Sequence, residues 1–132
     1  MKTPINLSAE ELAELLPLPT AAFFVLFALA DGEKHGYRIM QEIRELSGGQ
    51  VNLGPATLYT NIQRFVAQAL IVEIESEASE RRRTYRLSLA GGKLLQAELR
   101  RQEEVLKIAK LRKLYPSGGK PHTSAWVLHD SN

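Results

Sequence analysis

Apolar residues recur at helical spacing through most of the chain and switch once, past its middle, to a period of two. Leu7-Ser8-Ala9-Glu10-Glu11-Leu12 reads as a compact helix start, in which Ser8 caps, Glu11 reaches back to the cap and Leu7 staples onto Leu12. Leu12, Leu15 and Leu16 give this helix a short apolar face, and Pro17 and Pro19 stop it. Thr20 is the expected cap of a second helix reaching about Ala30. Phe23, Phe24, Val25, Leu26, Phe27 and Leu29 make it apolar nearly all round, which predicts a central element covered on several sides. After Asp31-Gly32, His35-Gly36-Tyr37 opens a third helix with Ile39, Met40, Ile43 and Leu46 inward and Arg38, Gln41, Glu42, Arg44 and Glu45 outward. Gly48-Gly49 ends it.

Residues 53–70 then carry a helix predicted over 55–68. Pro55 suits the first helical position, where its missing N–H is not needed, and Gly54 occupies the cap. Leu58, Ile62, Phe65, Val66 and Ala69 share one face; Thr57, Thr60, Asn61, Arg64 and Gln68 lie opposite, with Tyr59 on the border. None of these polar residues is acidic. Hydroxyl, amide and guanidinium groups reach base edges and phosphates in a major groove, although a solvated helix face has the same look. With the helix before it and the short connection between, the pair satisfies the helix-turn-helix pattern, which is common in helical proteins.

Beyond Leu70 the period is two: Leu70, Val72 and Ile74 alternate with Ile71, Glu73 and Glu75, and after a polar turn Thr84-Tyr85-Arg86-Leu87 alternates again, with Tyr85 and Leu87 inward. A hairpin here, its wing spanning 76–86, follows directly on the polar helix. Glu75 facing Arg82 across it is the ordinary explanation of its charges. Three successive arginines, Arg81, Arg82 and Arg83, exceed what that pairing needs and favour phosphate or minor-groove contact. Ser88 caps a last helix expected to reach Leu114, about 39 Å at 1.5 Å per residue. Its apolar stripe, including Leu94, Leu95, Leu99, Val105, Leu106 and Ala109, suggests a dimer interface, with packing against the N-terminal helix as the alternative. From Pro116 the composition turns to Gly, Ser, Pro and His around the sole tryptophan, Trp126, and a flexible tail is expected.

The predicted organisation is therefore mainly α with a small β-hairpin: an accessory helix (1–19), a winged helix-turn-helix (20–88), a dimerisation helix (89–115) and a tail (116–132). Composition narrows the chemistry further. The 132 residues carry a formal net charge of only +2, so any nucleic-acid footprint must come from local clustering. Without cysteine there is no disulfide, thiol nucleophile or thiolate metal site. His35, His122 and His129 have no ligand-like spacing, so neither metal nor cofactor is expected. The apolar run 21–30 is far short of a membrane span, which predicts a cytoplasmic protein with no membrane partner.

His35-Gly36-Tyr37, Leu53-Gly54-Pro55-Ala56-Thr57-Leu58-Tyr59, Leu70-Ile71, Arg82-Arg83-Thr84-Tyr85-Arg86-Leu87 and Ala90-Gly91 together resemble PadR-like transcriptional regulators in order and spacing, across residues 24–114. The resemblance implies a winged helix-turn-helix that dimerises through its C-terminal helix and binds palindromic operator DNA, usually as a repressor. It places Thr57, Tyr59, Asn61 and Arg64 at the DNA surface, Tyr37 near the side that meets the backbone, and Arg82 and Arg83 on the wing. The chain departs from the pattern at Ala56 and Ala69, where glycine is usual, at Ser88, where threonine is common, and at Asn61, where a basic residue is frequent. Some relatives hold a small aromatic effector between subunits; residues 89–114 here contain no Trp, Phe or Tyr to stack on one, and a ligand among the leucines stays open.

The reading that results is a homodimeric DNA-binding regulator of the compact branch. A winged-helix module that binds protein is the alternative, argued from the near-neutral charge. Catalysis has no nucleophile motif or acid/base pair behind it, and His35 belongs to a fold-defining stretch.

Overall fold

A computed structural model describes residues 7–75 and 83–115. The chain divides into two units, Met1–Glu98 and Leu99–Asn132.

In the first unit, α1 (Ala9–Glu14) begins on the expected capping box: the Glu11 N–H donates to Ser8 Oγ at 3.1 Å and the Ser8 N–H to Glu11 Oε1 at 2.9 Å. The Ser8 backbone N–H, followed by its hydroxyl, holds the Glu11 carboxyl below the usual carboxylate range. Leu7, Leu12, Leu15 and Leu16 are half-buried against the core. Helix α2 (Thr20–Ala28) is central, with Ala22, Phe23, Val25, Leu26 and Ala28 buried and the Phe23 ring stacked on Phe27 at 5.3 Å. Thr20 is not its cap. Pro19 holds that position in an extended conformation and its carbonyl accepts from the Phe23 N–H at 2.9 Å, so Thr20 is already helical and makes no side-chain cap.

Two residues, β1 (Lys34–His35), precede α3 (Gly36–Leu46). Ile39 and Ile43 are buried, whereas Leu46, expected inward, is exposed in the last turn. Gly48 and Gly49 both adopt positive φ, and the Gly49 N–H returns to the Arg44 carbonyl at 2.8 Å to close the helix. Helix α4 (Pro55–Ala67) starts with Gly54 at the cap and Pro55 behind it, buries Leu58, Ile62 and Phe65, and ends with Gln68 at its C-cap. Ala69 follows at φ 59°, and the Leu70 N–H reaches back to the Phe65 carbonyl at 2.9 Å. This is the left-handed closure that glycine usually fills.

Strands β2 (Ile71–Glu75) and β3 (Arg83–Leu87) are antiparallel, and β1 pairs with the far edge of β3, giving a three-stranded sheet in the order β1-β3-β2. The hairpin expected from alternation is thus one strand short, because two residues are too few to show a period. Its phase also differs. Ile71 opposes Leu87, and Glu73 opposes Tyr85, which is buried. Ile71 and Glu73 therefore share the inward face, and Val72 and Ile74 lie with Arg86 and Thr84 on the other. Glu75 stands opposite Arg83, and the ion pair runs from Arg83 to Glu73 at 3.1 Å.

Helix α5 (Leu89–Leu111) is capped by Ser88, whose Oγ accepts from the Gly91 N–H at 3.0 Å. The same hydroxyl donates to the Ala69 carbonyl at 2.7 Å, and the Ser88 N–H to the Leu70 carbonyl at 3.1 Å. Gly91, Leu94, Leu95 and Glu98 are buried in this unit. Glu98 Oε1 accepts the Leu18 N–H at 3.0 Å, tying the proline-bounded connection before α2 to α5. Leu94 and Leu95, expected in a dimer seam, belong instead to the chain's own core.

In the second unit, Leu99, Val105, Leu106, Ile108, Leu111 and Leu114 are exposed. The chain closes after α5 with Lys113 at φ 59° and the Leu114 N–H on the Ala109 carbonyl at 2.8 Å. Trp126 and the expected tail lie outside the described residues.

Candidate nucleic-acid interface

The exposed face of α4 is built by subtraction. Leu58, Ile62 and Phe65 bury one side, and at 100° per residue this turns Thr57, Thr60 and Arg64 outward, all three exposed. Asn61 lies between them, half-buried, its Nδ2 donating to the Thr57 carbonyl one turn earlier at 2.9 Å. No Asp or Glu occurs anywhere from residue 46 to 72, so no acidic side chain of this segment opposes a phosphate.

The other expected residues are spread over α3, α4 and the strand pair. Tyr37, in the first turn of α3, is 61% exposed. Arg83 is exposed at the start of β3 with its guanidinium on Glu73, and Arg86 is exposed on the outward face of that strand. Arg81 and Arg82, with most of the expected wing, lie outside the described residues. Tyr59 differs from the rest. It is 39% exposed, but its hydroxyl lies against the backbone of Gly36 and its ring meets that of Tyr85 edge-on, centroids 6.5 Å apart. Gly36 is not among the residues expected at this surface; its place between His35 and Tyr37 is the sequence signal for it. Arg38 pairs with Glu42 at 3.1 Å and lies 3.8 Å from Glu45.

Among the described residues near this surface, Tyr85 carries a perturbed group. Burial, the neighbouring Glu73 carboxylate and Tyr59 push its phenol above the ordinary 10.0. Among the described residues no group of three His, Asp or Glu side chains could hold a metal ion, and no helix is long and apolar enough to cross a membrane.

The arrangement is a polar helix face lacking acidic groups, preceded by a helix and followed by an arginine-bearing hairpin. The family model of the transcriptional regulator PadR-like family matches residues 25–97, from α2 to the buried part of α5. The chain belongs to that family. Members of the PadR-like family are DNA-binding transcription regulators with a winged helix fold. The chain is 41% identical over 78 residues to an uncharacterized 37.1 kDa protein in transposon TN4556 of Streptomyces fradiae; the match takes in 59% of this chain and only 21% of that protein. Among solved structures, a transcriptional regulator from Clostridium thermocellum is 22% identical with a TM-score of 0.60, over 80% of this chain and 96% of that one. A PadR family transcription regulator from Clostridium difficile R20291 is 20% identical with a TM-score of 0.62, over 70% and 97%. The two structures establish the fold.

Proposed function

We propose that this PadR-like regulator is a homodimeric repressor, which binds a palindromic operator with α4 in the major groove and the β2–β3 hairpin on the flanking backbone. The observation that carries this reading is the outward, non-acidic set Thr57, Thr60, Asn61 and Arg64 on a helix that leads straight into the strand pair bearing Arg83. Thr57 and Asn61 read base edges, and Arg64 takes a base or a phosphate. Arg83, with Arg81 and Arg82, holds the backbone, and Tyr37 meets it from α3.

Dimerisation rests on the second unit. Leu99, Leu106 and Ala109 are separated by seven and three residues and so share one stripe, with Val105 at its edge. Exposed leucine and valine at that spacing call for a second copy. Repression is the usual habit of the family that the motifs resemble.

Selection of bound sequences from a random duplex pool tests the reading. The expected motif is a palindrome whose half-sites lie one helical turn apart, roughly 34–36 Å between centres. A folded protein that enriches nothing and shows no salt-sensitive association with generic duplex would instead be a protein-binding winged helix.

A further inference from the structure

We infer that Tyr59 is a positioning residue, which sets the angle of α4 against the strand leading out of the wing, rather than a DNA contact. The inference rests on the DNA-binding reading above.

The C-terminal end of α4 is fixed by covalent continuity: Ala69 and Leu70 turn it directly into β2, and Ser88 grips both of their carbonyls. Its first half has no such tie to the sheet. Tyr59 supplies one. From the second turn of α4 its ring packs edge-on against Tyr85, which is 3% exposed and sits in the middle strand, opposite Lys34 on one side and Glu73 on the other. Beyond the ring, the Tyr59 hydroxyl occupies the space in which any Cβ on Gly36 would lie; such a Cβ would also come within 2.7 Å of the ring carbon bearing the hydroxyl. Gly36 is buried, opens α3 and follows β1. One side chain thus joins α4 to the start of α3 and to β3. The base-reading groups on α4 and the arginine at the start of β3 can engage one duplex only when these elements keep a fixed relation, and a 1 Å error in such a constellation is costly.

Gly36 makes the inference testable, because the atom a new methyl would meet is the far end of a side chain that can swing aside. Gly36→Ala should therefore fold and expel Tyr59. Gly36→Ala, Tyr59→Ala, the double variant and Tyr59→Phe are compared with the unaltered protein in operator affinity, non-operator affinity and salt slope, all below their melting temperatures. The expected result is that Gly36→Ala lowers the operator-to-non-operator ratio about tenfold, the discrimination of one base pair, with its salt slope unchanged. The same methyl should cost little more in the Tyr59→Ala background. Tyr59→Phe, which keeps the ring against Tyr85, should hold the ratio within about threefold, well under that one-base-pair cost. If Gly36→Ala fails to fold, Tyr59→Phe still decides: a loss of operator affinity well beyond threefold means the hydroxyl contacts DNA and overturns the inference. Additive losses for Gly36→Ala and Tyr59→Ala overturn it as well. No DNA association by the unaltered protein would overturn the DNA-binding reading, and the inference with it, whereas association with an unchanged ratio in every variant overturns the inference alone.

Discussion

Gly91 passes so close to Leu70 that a Cβ on it would overlap the Leu70 carbonyl oxygen and lie 3.0 Å from the carbonyl carbon. Unlike a side-chain tip, that oxygen cannot move alone, because it already accepts the Ser88 N–H. The turn after α4 and the first turn of α5 are therefore seated backbone against backbone.

Gly91→Ala should accordingly destabilise the chain by about 3 kcal/mol, the upper part of the range for overpacking. Its neighbour is the control. A Cβ on Gly92 meets nothing within 4 Å, so Gly92→Ala should gain about 0.5–1 kcal/mol from helix propensity. Urea unfolding of the two variants should move in opposite directions; like shifts would mean that propensity, not the Leu70 contact, governs this turn.

At the same turn, Ala69 adopts φ 59° and pays the left-handed penalty of an L side chain, roughly 1–2 kcal/mol. Ala69→Gly removes that penalty and loses some in unfolded-state entropy. A net gain of about 0.5–1 kcal/mol is expected by denaturant titration, with the m-value unchanged. A loss would show that the Ala69 methyl contributes more by packing than its backbone conformation costs.

These two positions also show where sequence reasoning worked. Gly91 and Ala69 stood out in the motif comparison, and the caps at Ser8, Gly54 and Ser88 followed from local rules that depend on nearest neighbours alone. The burial of α2 was equally plain, because seven successive apolar residues, 23–29, leave no solvent face. What local pattern could not supply was pairing between distant segments. Lys34 and His35 become a strand only because Tyr85 and Thr84 lie beside them. Glu73 faces inward because Tyr85 fixes the register, against the alternation of its own strand. In the same way Leu94 and Leu106 look alike in a periodic stripe, and only the packing of the first unit separates core from surface. On α4, the outward position of Thr57, Thr60 and Arg64 was legible from helical phase, whereas the turn of Tyr59 toward Gly36 required α3 in place.

Tyr85 makes stability depend on alkaline pH. Its folded pKa lies above the ordinary 10.0, so above pH 10 the unfolded chain releases this proton first and is favoured. Stability from this group is full below pH 10 and falls as pH rises from there to the folded pKa, by about 1.4 kcal/mol for each pH unit between the two. Tyr85→Phe should flatten the fall of stability measured between pH 9 and 11, whatever its effect at pH 7. An unchanged slope would assign the alkaline loss to other groups.

Arg83 and Glu73 offer a test of the wing that needs no operator. If Arg83 neutralises one phosphate, Arg83→Ala should reduce the slope of log affinity against log salt by about 0.9 on generic duplex. Glu73→Gln releases the guanidinium from its 3.1 Å partner and should tighten generic binding instead. Arg64→Ala, on the helix, should also change the motif recovered by selection if its guanidinium reads a base. A slope for Arg83→Ala equal to that of the unaltered protein would remove Arg83 from the backbone contacts, and an Arg64→Ala protein with both slope and selected motif unchanged would remove Arg64.

The dimer proposal separates two leucines of one helix. Leu94 is fully buried in the first unit, so Leu94→Ala should cost about 2–5 kcal/mol of unfolding free energy as a core truncation does. Leu106 is 47% exposed in the second unit, and a charge there meets water in a lone chain but another Leu106 or Ala109 across a two-fold seam. Leu106→Glu should therefore leave the far-ultraviolet circular dichroism of the chain intact and shift it to monomer in sedimentation equilibrium. Operator affinity should fall with it, because each monomer then engages one half-site and the second contact is no longer intramolecular. A Leu106→Glu protein that remains dimeric would move the seam to the opposite side of α5, where Ile108 and Leu111 are exposed, and the paired variant Ile108→Glu would then be the one to dissociate.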